Sequence, residues 1–277
     1  MDLTSKKNIQ GLLKKCQINP SKRLGQNFLT NKRAVKRLIR AAALKPENIV
    51  LEIGPGIGTL TQELAKKVKK VIAVEKDPNL ARILNDELRI MGIKNVKVIQ
   101  ADILKFPNHR LPNTDYKIIG NLPFYLTAPV IRKFLEFVEI KPRQMVLIVQ
   151  KEVGQRICAK PPKMNILAVS VQFYAKPEVI GCVSKKSFWP SPKVDSAILR
   201  IAPLVGTFRK PVDADLFFKI VRAGFSQPRK QLINNLSKGL KINRERIKDW
   251  LLKNNVQPNQ RAETLTVENW VKLTKKF

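Results

Sequence analysis

From Asn48 onward the chain alternates short runs of branched aliphatic residues with segments of helical period, and that rhythm restricts it to α/β folds. Ile49 to Ile53, Val71 to Val74, Val96 to Ile99, Tyr116 to Gly120 and Met145 to Val149 are dominated by apolar residues, as strands covered on both faces must be. Between them, Thr59 to Val68, Pro78 to Met91 and Ala128 to Val138 space their apolar residues by three and four, which puts one stripe of a helix inward. Strand and helix in this order predict a doubly wound, mostly parallel sheet. Two later apolar runs, Ala168 to Phe173 and Ser196 to Ile201, read as strands that close the sheet at one edge.

The flanks differ in character. Residues 1–23 carry Lys6-Lys7, Lys14-Lys15 and Lys22-Arg23 with little apolar periodicity, and are read as a flexible basic arm. Leu24-Gly25-Gln26-Asn27-Phe28-Leu29 then precedes a helix in which Ala34, Val35, Leu38, Ile39 and Ala42 form the apolar stripe. Lys32, Arg33, Lys36, Arg37 and Arg40 fall on its other face. Phe188 to Ser196 is stiffened by Pro190 and Pro192. After Pro203 the pattern is purely helical, with Asp213 placed to cap the first helix and three shorter ones following. The expected division is therefore 1–203, an α/β domain with its arm, and 204–277, a small all-α domain.

Charge narrows the partners. Lys and Arg number 53 against 21 Asp and Glu, a formal +32 spread over both halves of the chain. A surface that positive calls for a polyanion, and nucleic acid held through its phosphates is the natural one. Cys16, Cys158 and Cys182 are too few and too scattered for a disulfide framework, and the single His109 completes no zinc pattern. No apolar run reaches the roughly 18 residues of a membrane span, and the first thirty residues lack a signal peptide's apolar centre. The expectation is a soluble, cytoplasmic, monomeric protein.

In an open α/β sheet, ligands bind beyond the carboxyl ends of the strands, so the residues standing there are the informative ones. After the first strand comes Glu52-Ile53-Gly54-Pro55-Gly56-Ile57-Gly58. Its third glycine arrives one residue too early for a dinucleotide fingerprint, and an acid precedes the first. That favours a nucleoside ligand without pyrophosphate, as in class I methyltransferases that bind S-adenosylmethionine. Glu75, ending the second strand, is placed to accept from two ribose hydroxyls, and Asp102, past the third, to meet an adenine amino group. Asn121-Leu122-Pro123-Phe124 follows the fourth. An amide oxygen, a rigid proline and an aromatic face together suit a flat base whose amino group is to react.

With these residues assembled, the chain resembles the bacterial small-subunit (16S) rRNA adenine dimethyltransferases, a Rossmann-like class I methyltransferase family. The resemblance runs through Leu24 to Leu29, Glu52 to Gly56, Asn121 to Pro123, Gln150 to Val153, Phe188 to Ser196, Phe225 to Lys230 and Arg261 to Glu263. It implies N6,N6-dimethylation of two adjacent adenosines near the 3′ end of the small-subunit RNA. Cofactor contacts would fall on Asn27, Leu29, Gly54, Gly56, Glu75, Asp102 and Asn121. The catalytic loop would be Asn121, Leu122, Pro123 and Phe124, with Lys22, Arg23, Arg229 and Lys230 holding RNA. Two positions depart from the family, Phe124 for its usual Tyr and Asn165 for a common Gly. Two other readings stay open: a 23S rRNA methyltransferase of the macrolide-resistance type, whose loop is similar, and a nucleic-acid-binding factor that keeps the fold without catalysis. A nicotinamide oxidoreductase is disfavoured by the glycine spacing.

Overall fold

A computed structural model describes residues 2–204 and 212–277; residue 1 and the segment 205–211, at the expected domain junction, lie outside the described residues. The chain divides into two compact units. One runs to Gly154 and takes in Glu178–Pro203; the other comprises Gln155–Pro177 and the chain from Leu204 on. The expected boundary at 203 and 204 coincides with one crossing, but 155–177 falls in the second unit rather than the first.

The first unit is built on the sheet. Strands β2 (Ile49–Ile53), β3 (Lys70–Glu75), β4 (Val96–Gln100), β5 (Tyr116–Asn121) and β6 (Gln144–Gln150) occur close to where the apolar runs predicted them. With β7 (Ala175–Val183) and β9 (Ser196–Pro203) they take the order β4-β3-β2-β5-β6-β9-β7. The pairs among β4, β3, β2, β5 and β6 are parallel, and β9 runs antiparallel to β6. The chain leaves β2 toward β3 and β4, then returns to β2's other side at β5, so the switch point of the winding lies between β2 and β5. A separate two-stranded ribbon pairs β1 (Phe28–Leu29) with β8 (Phe188–Trp189), tying the polar insert to the proline-rich segment.

Helix α2 (Lys32–Ala41) starts at Asn31, whose side chain accepts from the N–H groups of Arg33 and Ala34. Its predicted stripe is buried and its basic residues are exposed. Asp77 caps α4 (Pro78–Ile90) in the same manner, with Pro78 in the first turn where no N–H is needed. Helix α3 (Thr61–Ala65) is shorter than the predicted ten residues, because Thr59 and Leu60 belong to the turn that precedes it and Lys66 to Val68 to the turn and bend that follow it.

Two expectations are corrected. The basic arm is a docked helix: α1 (Lys6–Lys15), capped by Ser5, buries Ile9, Leu12 and Leu13. With Leu3 they form one cluster with Phe28, Ile57, Leu80 and Ile83, while Lys6, Lys7, Lys14 and Lys15 face solvent. Three apolar side chains spaced i, i+3 and i+4 suffice to hold it. The run Ala168 to Phe173 lies in a helix, α7 (Ile166–Tyr174), and the edge strand is the next segment, β7.

The second unit packs α7 with α8 (Ala214–Gly224), α9 (Leu232–Leu240), α10 (Arg244–Lys253) and α11 (Val267–Lys275) around Phe173, Phe217, Ile220, Leu232, Leu251 and Trp270. The Phe173 and Phe217 rings stack with centroids 4.0 Å apart. Asn165, the departure from the family's glycine, caps α7 by accepting from Ala168 N–H and donates to the Arg156 carbonyl. No helix of the described residues is long and apolar enough to cross a membrane.

Candidate active site

Register places the key residues at one edge. Ile53 lies opposite Val74 on one side and Gly120 on the other, so Gly54, Glu75 and Asn121 arrive side by side at the carboxyl ends of β2, β3 and β5. Around them opens a cavity of about 850 Å³ including its mouth. That is ample for a nucleoside-sized ligand. Gly54 and Gly56 both have positive φ, +66° and +60°, which an L side chain adopts at a cost. A Cβ on Gly54 would find nothing closer than the Asn121 carbonyl oxygen at 3.9 Å, so the backbone lies bare at this point of the cavity. A Cβ on Gly56 would stand 3.3 Å from the Phe28 ring, which closes the turn from the other side.

A hydrogen-bonded network fixes the floor. The Glu75 carboxylate accepts from Gly56 N–H at 3.0 Å and from Asp77 N–H at 2.9 Å, one bond to each oxygen. Each oxygen keeps a lone pair for a hydroxyl donor. Burial raises the Glu75 pKa even though these two N–H groups favour the anion. Gln26 donates to the Asp77 carboxylate at 2.8 Å, which fastens the 24–29 loop to the end of β3. Asp102 is opposite in character. Its partial burial works against ionisation, but the Lys76 ammonium at 2.8 Å and the Leu104 N–H outweigh it and hold the carboxyl below its ordinary value.

Asn121 is oriented by its donor half. Its Nδ2 donates to the Asn27 carbonyl at 2.8 Å, so Oδ1 is the part left to accept from a ligand. Gly25 packs nearby, where a Cβ would come within 3.1 Å of Pro123 Cβ; loops 24–29 and 121–126 thus clasp each other beside the cavity.

All seven residues expected to contact a cofactor, Asn27, Leu29, Gly54, Gly56, Glu75, Asp102 and Asn121, line this single cavity. Of the expected catalytic loop, Asn121 and Pro123 line it. The Leu122 side chain is buried, and Phe124 is half-buried and does not line the cavity, whereas the half-exposed Tyr125 does. Lys22 and Arg23 are exposed on the first unit, with Arg23 close enough for its charge to act on Lys76. Arg229 and Lys230 are exposed on the second unit. Gln26, Lys76 and Asp77 were missed, since nothing in their spacing separates them from ordinary loop and cap residues; Asp77 followed by Pro78 was the one available signal, and it points to a cap rather than a site.

Residues 17–277 match the family described as ribosomal RNA adenine dimethylase. The ribosomal RNA small subunit methyltransferase A of Dehalococcoides mccartyi strain BAV1 is 42% identical over 254 residues, covering 91% of this chain and 86% of that one. The protein of the same description from Geobacillus sp. strain WCH70 is 37% identical and covers 99% of this chain and 97% of its own. Among solved structures, a dimethyladenosine transferase from Plasmodium falciparum superposes with a TM-score of 0.75 at 26% identity, over 88% of this chain and 95% of that one. The 23S rRNA methyltransferase ErmE gives 0.73 at 26% identity, over 90% and 99%.

Proposed function

The chain belongs to the ribosomal RNA adenine dimethylase family, and from that premise we propose that it dimethylates N6 of two adjacent adenosines in the 3′-terminal hairpin of small-subunit (16S) rRNA, using S-adenosylmethionine. It would act as a monomer in the cytoplasm, on the small ribosomal subunit or its precursor. One observation carries the reading: Asn121, oriented by Asn27, stands at the edge of the same cavity as Gly54, Glu75 and Asp102.

The residues present fit the cofactor. Bare backbone at Gly54 admits close approach, Glu75 offers acceptors to a hydroxyl pair, Asp102 accepts from an amino group, and Phe28, Leu80, Ile103 and Leu126 supply apolar walls. Bound there, S-adenosylmethionine supplies an electrophilic methyl on a sulfonium. The protein's task is the nucleophile. The adenine amine is weak because its lone pair is delocalised into the ring. Acceptance of its two N–H bonds by Asn121 Oδ1 and the Leu122 carbonyl favours a tetrahedral nitrogen with the pair localised. The same oxygens stabilise positive charge as the nitrogen reacts, and its proton then becomes acidic enough to pass to water. No strong base is required, and alignment supplies several kcal/mol. The base must leave its stack to enter, with Phe124 expected to replace the lost contact and the adjacent Tyr125 lining the cavity.

The test is methylation of purified small subunits that lack the modification, followed by nucleoside mass spectrometry. Dimethyladenosine is expected; monomethyladenosine alone, or none, overturns the assignment. Ribosomal RNA from a strain lacking the gene separates the macrolide-resistance reading, which predicts that the small-subunit modification is unchanged.

A further inference from the structure

Beside the catalytic cavity lies a second hollow, lined by Leu104, Phe106, Pro107, Pro129, Arg132 and Phe137 among others. The two are neighbours along both chain segments that form them. Asp102 and Ile103 line the cavity and Leu104 the groove; Leu126 lines the cavity and Ala128 the groove.

The groove is built, not incidental. Lys133 Nζ donates to the carbonyls of Ile103, Leu104 and Phe106 at 2.9, 3.2 and 2.5 Å, pinning the loop after β4 to the helix after β5. Asn108 Nδ2 donates to the Phe137 carbonyl at 3.0 Å and makes a second tie. Helix α5 (Thr127–Arg132) continues into a π-helical turn at Lys133–Phe137. Such turns cost hydrogen-bond geometry and recur at functional sites. Here Phe134, Leu135 and Val138 are buried while Phe137 is left 60% exposed. The Arg132 guanidinium lies 5.2 Å from the Phe137 ring centroid. Its charge is shared with Glu136, whose Oε2 is 2.8 Å from Arg132 Nε. Lys105 and Arg110 are exposed close by in sequence, so basic residues outnumber acidic ones around the hollow.

An exposed ring, an arginine and flanking lysine and arginine make the combination that holds an unpaired base and its phosphate. The geometry points to this groove as the seat of the nucleotide adjacent to the target adenine, unstacked and held on Phe137 while its neighbour occupies the catalytic cavity. The inference rests on the RNA reading above and extends it: a substrate with two adjacent target bases needs a place for the one that is waiting.

The test uses the full-length protein with Phe137→Ala and Phe137→Trp. Being exposed, Phe137 can be changed without opening the core. Phe137→Ala is expected to raise KM for unmodified small ribosomal subunits about tenfold, the scale of one base stack, with kcat, S-adenosylmethionine affinity and melting temperature unchanged, and Phe137→Trp is expected to restore KM. A KM within twofold of wild type, or a loss that Trp does not restore, overturns the groove. Should the wild type methylate no small-subunit RNA, the functional reading fails by itself. The groove is then judged by fluorescence anisotropy with a labelled single-stranded RNA containing adjacent adenines: weaker binding by Phe137→Ala alone supports it, and equal binding by all three proteins sinks it.

Discussion

The cavity has two walls of different construction. One is the row of strand ends, Gly54, Glu75 and Asn121, whose positions are dictated by the parallel register of β2, β3 and β5. The other is the cover formed by Gln26, Asn27 and Phe28, which belongs to no large sheet and is held by side chains. Gln26 reaches Asp77, the Asn27 carbonyl takes Asn121 Nδ2, and Phe28 is packed from behind by α1. A strand end cannot shift without breaking a ladder of main-chain hydrogen bonds, whereas the cover can loosen one contact at a time. From this difference we infer a division of labour, in which the strand wall would fix the chemistry and the cover would set how firmly ligand is retained.

Removing the proposed acceptor is the harshest challenge to that division. Asn121→Ala is expected to lower kcat for methyl incorporation at least ~100-fold, about 2.7 kcal/mol of barrier, while S-adenosylmethionine affinity measured by calorimetry changes only severalfold. Equal losses in both would mean that strand wall and cover act as one. On the other side, Leu13→Ala removes a side chain only 1% exposed from the cluster that backs Phe28. It is expected to cost about 2–3 kcal/mol of stability in urea unfolding and to weaken cofactor binding, with kcat at saturating cofactor and RNA within threefold. A kcat collapse with unchanged affinity would reverse the assigned roles.

The same contrast explains what could be read from the sequence. Each strand of the parallel core announces itself as an apolar run, and each strand end follows from it, so Gly54, Glu75, Asp102 and Asn121 were placed by pattern alone. The cover was not, because its support is tertiary. Ile9, Leu12 and Leu13 carry helical spacing, but the lysines around them masked it, and what they pack on comes from residues 28 to 83. Helix α7 failed for a related reason. Val169, Ser170, Val171, Gln172 and Phe173 alternate as a half-buried strand does. The fold overrides this with a cap at Asn165, while Gln172 finds carbonyl partners at Ile157 and Ala159 and Ser170 bonds back to Ile166. Phe124 and Tyr125 are adjacent, and which of their rings lines the cavity depends on how the chain turns after Pro123, which no pattern in the sequence encodes.

Within the strand wall itself, not every acid faces the cavity. Glu52 is fully buried on β2, and neither of its carboxyl oxygens finds a hydrogen-bond partner; the Thr61 hydroxyl lies beside it without reaching bonding geometry. Burial, with the Glu75 charge adding to it, pushes its pKa up from 4.5 to about 8. A folded-state value above the unfolded one means that the folded protein holds a proton the unfolded chain releases. Stability therefore falls as pH rises between those two values, by up to about 1.4 kcal/mol per unit. Glu52→Gln keeps the shape and cannot ionise. It is expected to unfold at higher urea than wild type at pH 9 and at nearly the same urea at pH 5, with part of the slope remaining because Glu75 is raised in the same direction. Cofactor affinity should be unaffected, since Glu52 does not line the cavity. Parallel stability curves for the two proteins would show that Glu52 is ionised and compensated, and the line drawn between a neutral buried carboxyl and the cavity-lining Glu75 would then have to be abandoned.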